Sequence, residues 1–200
     1  MYRSGAVCRT FSCGLFVLLF VSPLAADELS DALQSLKSVG PNAAGHAAAQ
    51  TAWKVVAAVE PAKLPQLLTA LDDASPLAAN WIRAAVDSVG ERALKAGDKT
   101  VGPILERFTL ETNHAPRARR LAFDWLTRFD ATATDRLVPG FADDPSVELR
   151  RDAIERLLGE AEKAADDEAK RTIYRRAFAA ARDIDQIADL AEKLKKLGVE

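Results

Sequence analysis

From residue 28 onward, apolar residues return every three or four positions, and no stretch alternates at period two for long enough to make a strand. Leu29, Leu33, Leu36 and Val39 predict a short helix over 28–39, ended by Gly40-Pro41-Asn42. An Ala-rich helix over 43–59 carries Trp53, Val55, Val56 and Val59, and Pro61 and Pro65 then break the chain. A short helix over 65–72 leads to a long one over 76–96, capped by Ser75 and burying Leu77, Trp81, Ile82, Val86, Val89 and Leu94. Gly97-Asp98 closes it. The same short-then-long alternation continues with 103–110 and 116–129, then 133–142 and 145–164, with Pro139 bending or shortening the former. Two further helices are expected at 168–182, with Phe178 inward, and at 184–197, with Ile184 on its apolar stripe and Asp183 to Gln186 as a capping box. About ten helices in five hairpins result, in one domain without an internal low-complexity linker.

The most informative stretch is Phe141 to Leu158. Asp144 is expected as its N-cap and Pro145 as its first helical residue. Val147, Leu149, Ala153, Ile154, Leu157 and Leu158 fall on one side, and Glu148, Arg151, Asp152, Glu155 and Arg156 on the other. The phrase is repeated upstream. Asn113 to Leu126 lies over Asp144 to Leu157 without a gap, pairing Arg119-Arg120 with Arg150-Arg151, Ala122 with Ala153 and Leu126 with Leu157, at an offset of 31 residues. A looser copy begins at Leu71-Asp72-Asp73, with Ser75-Pro76 as cap and first residue. Repetition at this period is the signature of stacked helical hairpins.

An Asp-containing turn at Asp143-Asp144, an apolar-Arg pair at Leu149-Arg150, then Ala153 and Leu157, resembles the second half of a HEAT repeat. The likeness covers 137–158 well, 104–126 less well and 64–90 loosely. It implies an all-α, right-handed solenoid of about five antiparallel helical hairpins. It also implies that Arg119 and Arg150 tie a repeat to an Asp turn and serve the fold, and that such arrays bind proteins. The spacing of 31 residues is short for that family, and the first copy lacks the Arg-Arg pair.

Composition adjusts this picture. The chain is 48% hydrophobic and 28% charged, enough to build a core. Arg3 and Arg9, the apolar run Gly14 to Val21, and Ser-Pro-Leu-Ala-Ala26 before Asp27-Glu28 have the layout of a signal peptide over 1–26, leaving 27–200 as the HEAT-like domain. The run is too short for a stable span, so no membrane span is expected after cleavage. The expected location is the periplasm or the exterior of the cell. Both cysteines, Cys8 and Cys13, fall in that leader, so the remainder has no disulfide, thiolate nucleophile or cysteine metal site. The whole chain carries a net charge of −2, and losing the leader removes two arginines and no acid, which argues against nucleic acid as a partner.

Candidate chemistry is sparse. The histidines, His46 and His114, form no metal motif, and no phosphate loop or serine elbow is present. No catalytic, cofactor or metal residue is assigned. The acid pairs Asp72-Asp73, Asp143-Asp144 and Asp166-Asp167 all precede helices, where capping is the preferred role. The alternative is a cell-envelope glycan- or polymer-binding, or weakly hydrolytic, protein that uses them as paired carboxylates. The partner-binding candidates are Arg117, Arg120, Asp124, Arg151 and Glu155. One reading is an arginine ladder that docks an acidic protein; the other, preferred, is a solvated face neutralised by the pairs Arg120–Asp124 and Arg151–Glu155. The expected function is a non-catalytic protein-interaction scaffold.

Overall fold

The computed structural model describes residues 23–199. Ten α-helices and two short 3-10 segments, and no strand, make up the described residues. Helix α1 (Pro23–Lys37) precedes α2 (His46–Ala58), and the 3-10 turn Pro61–Lys63 leads into α3 (Leu64–Thr69) and α4 (Pro76–Ala96). Next come α5 (Val101–Leu110), α6 (Pro116–Phe129), α7 (Ala133–Leu137) with the 3-10 segment Val138–Asp143, α8 (Val147–Glu162), α9 (Asp167–Ala180) and α10 (Ile184–Lys196). The signal-peptide assignment concerns residues of which 1–22 lie outside the described part.

Local chemistry explains most boundaries. Ser75 accepts from the Ala78 N–H at 3.2 Å and Pro76 opens α4, while Gly97, at φ 66°, ends it with Asp98 N–H on Ala93 C=O at 3.1 Å. Pro139 turns the end of α7 into the 3-10 segment, as a residue without an N–H must. The start of α2 differs from expectation. Asn42, Ala43 and Gly45 have φ of 55°, 61° and 76°, a left-handed run that cannot be α-helical, so the helix begins at His46.

Two capping expectations are corrected. Ser146, not Asp144, caps α8, its Oγ accepting from Leu149 N–H at 3.4 Å. Asp144 stands two residues earlier, free to bond elsewhere. Asp183 makes no side-chain cap bond to α10, and Gln186 instead donates to the Arg151 carbonyl at 3.2 Å. Among the acid pairs only Asp166 caps, accepting from Ala169 N–H at 2.8 Å.

A single apolar core runs from Leu29 in α1 to Leu194 in α10. Leu36, Leu67, Ile82, Leu105, Leu126, Ile154 and Leu190 are fully buried in it, each contributing roughly 1.5–3 kcal/mol. Each long helix packs on its own partner and on the neighbouring pair: α2 on α1 and α4, α4 on α3 and α6, α6 on α5 and α8, α8 on α6 and α9. Leu77, Val147, Phe178 and Ile184, expected inside, are instead 42%, 48%, 42% and 86% exposed. Leu77, Val147 and Ile184 lie in first turns. A helical side chain leans toward the N-terminus, so at that position it points past the end of the packed layer.

Candidate functional site

Two sets of polar links join the hairpins. The first lies at the turns. The Asp72 carboxylate, after α3, accepts from Ala115 N–H at 2.8 Å and faces His114 Nδ1 at 2.8 Å. Arg117 reaches back to the same turn, donating to the carbonyls of Leu71 at 2.8 Å and Ala74 at 2.6 Å. One hairpin further on, Arg119 donates through both terminal nitrogens to the Asp144 carboxylate, each at 2.7 Å, and through Nε to Thr109 C=O at 2.8 Å. The two side chains are 1% and 7% exposed. Asp144 also accepts from Ser146 N–H at 2.8 Å, and Arg150 donates to its backbone carbonyl. A buried guanidinium and a buried carboxylate are thus each multiply bonded, the condition under which such a pair is tolerated inside a protein.

The second set forms a charged face across α4, α6, α8 and the start of α10. Arg120 bonds Asp124 at 2.9 Å on its own helix and Asp152 on α8 at 2.5 Å. Arg151 contacts Glu155 at 3.5 Å on its own helix, and Asp183 and Asp185 of the last hairpin at 3.4 and 2.7 Å. Toward α4, Arg128 pairs with Glu91 at 2.6 Å and Trp125 Nε1 donates to Asp87 at 2.8 Å. The Arg128 guanidinium lies 4.1 Å from the Trp125 ring centroid. That indole lies so close to α4 that a β-carbon on Gly90 would be 2.7 Å from it. Burial works against the charge on Arg120, but Asp124 and Asp152 outweigh it and raise its pKa. The hydrogen bond to Asp185 foremost raises that of Arg151, and the same bond lowers the Asp185 carboxyl.

Arg120, Asp124, Arg151 and Glu155 therefore share one face. Arg117 does not belong with them, because its guanidinium is held by the α3–α4 turn. Both within-helix pairs form. Each arginine also reaches an acid of the following hairpin, Asp152 or Asp185, which reading single helices missed. The signal was available: those acids follow their arginines by about one repeat length. Arg83, on the same face, is exposed and makes no ion pair among the described residues. Shallow grooves of about 360 Å³ between α4 and α6 and about 390 Å³ between α6 and α8 flank Asp124. A larger recess of about 560 Å³ has Leu94, Pro103 and Phe129 in its lining, with Arg136 at its margin bonded to Glu106 and Asp130 at 2.7–2.8 Å.

The histidines lie apart. His46 is exposed and meets the Trp81 ring edge-on, whereas His114 stacks on Phe108 with centroids 4.1 Å apart and also faces Glu111 at 3.3 Å. Trp125 is buried; Trp53 and Trp81 are half-buried. Among the described residues no three His, Cys, Asp or Glu side chains are grouped to hold a metal ion, and no helix is long and apolar enough to cross a membrane. Compared with known proteins, the chain matches no family model, no curated protein and no solved structure.

Proposed function

We propose that this chain is an exported, right-handed solenoid of HEAT-like hairpins that serves as a non-catalytic scaffold for a protein partner. The observation that carries the reading is the serial linkage of neighbouring hairpins. Asp72 is bonded to the α5–α6 turn, Arg119 to Asp144, and Arg120 and Arg151 each to an acid of the next hairpin. Links repeated from one hairpin to the next hold the long helices side by side, and the product is an extended face of fixed charge pattern rather than a closed pocket. On that face Arg120 and Arg151 are already neutralised, so their main work is to hold hairpins together. Arg83, in the groove between α4 and α6, makes no ion pair among the described residues and is left for a partner. A partner offering a carboxylate there makes a charge-assisted bond to Arg83.

The test is affinity capture from cell-envelope and culture fractions with the wild-type chain beside Arg83→Glu, which has no ion pair to lose. A protein retained by the wild type and released by the variant supports the scaffold and locates its groove. Retention unaffected by the reversal removes the groove from the proposal. Capture of no protein, with glycan or envelope polymer retained instead, overturns the scaffold.

A further inference from the structure

The last hairpin carries an exposed face whose charge is not balanced. From residue 169 to residue 182 the chain has five bases, Lys170, Arg171, Arg175, Arg176 and Arg182, and no acid. Arg175 and Phe178 lie on one side of α9 beside Arg171, which is paired with Glu168 at 2.9 Å, and Arg182 stands just past the end of the helix. Ile184, Ala188, Ala191 and Lys195, all exposed, recur at the spacing that places them on one side of α10. The acids of α10 are on another side and are already engaged: Asp185 with Arg151, Asp189 with Lys193 at 3.9 Å, Glu192 with Lys196 at 2.7 Å. Arg175, Arg176 and Lys195 make no ion pair among the described residues. Phe178 is 42% and Ile184 86% exposed, so the bases stand beside large apolar groups that are themselves uncovered.

We infer that this face of the α9–α10 hairpin docks on an anionic lipid surface. A second copy of the chain is a poor occupant, because a two-fold contact sets this base-rich patch against the same base-rich patch of the other copy. The mixture of groups fits a bilayer surface. Phe178 and Ile184 reach the acyl boundary while guanidinium and ammonium groups pair with lipid phosphates, and the small Ala188 and Ala191 let the helix lie close. This inference does not rest on the scaffold reading, since that reading uses the α4–α6 groove and a protein ligand.

The experiment mixes the full chain with vesicles of equimolar phosphatidylglycerol and phosphatidylethanolamine, or of phosphatidylcholine alone. Hydrogen exchange is followed peptide by peptide. The apolar run Gly14 to Val21 can bind either vesicle by itself, so the footprint, and not total binding, is read. The expected result is protection centred on 171–195 with the anionic vesicles only, weakening as salt rises. With each base near the surface worth about fivefold in partitioning, Arg175→Glu combined with Phe178→Ser lowers the anionic-vesicle component at least about twentyfold. Lys54→Glu, the same charge change at an exposed site on α2, leaves it in place. Circular dichroism checks that both variants stay helical. Absence of the α9–α10 footprint, or its persistence in the double variant, overturns the inference. So does capture of soluble poly-glutamate on this face with no response to vesicles, which reassigns it to an acidic protein.

Discussion

The Arg119–Asp144 pair gives the sharpest test of how the hairpins are held together. Arg119→Met keeps much of the side-chain volume and removes three hydrogen bonds, two to Asp144 and one to Thr109 C=O. It leaves a carboxylate only 7% exposed with one remaining donor on its oxygens, Ser146 N–H. Removing one partner of a buried ion pair costs about 3–5 kcal/mol, because the other charge stays buried and uncompensated. Asp144→Asn is expected to cost a similar amount, since it strands a guanidinium that is 1% exposed with Thr109 C=O as its other acceptor. The double variant should cost clearly less than the sum, as no buried charge is then left. In a chain of this length, where 1 kcal/mol moves Tm by about 2–4 °C, each single change should lower Tm by about 6–20 °C. The assay is a double-mutant cycle by denaturant and thermal unfolding, with native-state hydrogen exchange to show where protection is lost. Loss should concentrate at the junction of α5–α6 with α7–α8. Single effects below about 1 kcal/mol, or strictly additive ones, would refute the reasoning.

Other outcomes follow from the same contacts. Gly90→Ala gains about 1 kcal/mol of helix propensity but sets a methyl against an indole pinned by Asp87 and Arg128; the net result should be a loss of roughly 1 kcal/mol by chemical denaturation, and a gain would mean that Trp125 is free to move. Ala43→Gly should stabilise by up to about 1 kcal/mol, because the left-handed φ of 61° no longer costs a β-carbon clash; a crossing to lower stability would show that the loop is not held left-handed. Hydrogen bonds from Arg136 foremost, then Thr132, hold the Asp130 carboxyl down from its ordinary 3.8 to about 2. A lowered folded-state pKa stabilises above the unfolded value and loses that contribution as pH falls, here from about 3.8 toward about 2. Stability measured over that interval should therefore fall less steeply in Asp130→Asn than in the wild type, most visibly at low salt because the pair is solvent-exposed.

The number, type and order of the helices were legible because each element carries its own apolar period and most carry their own stop: Ser75-Pro76, Gly97 and Pro139 act locally. The overlay of 113–126 on 144–157 placed two helices 31 residues apart, and α6 and α8 begin at Pro116 and Val147. What single-helix reading missed was long-range. Ser146 outcompetes Asp144 as cap because Asp144 is claimed by Arg119, 25 residues away. Asp152 reads as a polar-side position, and Asp185 as part of the capping-box stretch Asp183 to Gln186, until a neighbouring helix brings an arginine to each. The exposed Phe178 and Ile184 fit an amphipathic stripe by period alone, which does not register that Ile184 opens its helix and points past the packed layer.

The two turn junctions also show that sequence equivalence does not carry chemical equivalence. By the overlay Asn113 corresponds to Asp144, and Arg119 to Arg150. Yet Arg119 spends its guanidinium on the next turn, while Arg150 bonds the backbone of its own turn at Asp144. The preceding junction uses neither device. Its acid, Asp72, is answered by a backbone N–H and by His114, and its arginine, Arg117, answers backbone carbonyls. Backbone acceptors tolerate a small shift between hairpins, because several carbonyls present themselves side by side. A bidentate pair between two buried charges does not, since any displacement exposes an unmatched charge to a low-dielectric interior. The interface between α5–α6 and α7–α8 should therefore be the stiffest in the chain, and the one at the α3–α4 turn the more yielding. A partner laid along the long helices would meet its rigid section at Arg120 and its adjustable section at Arg83.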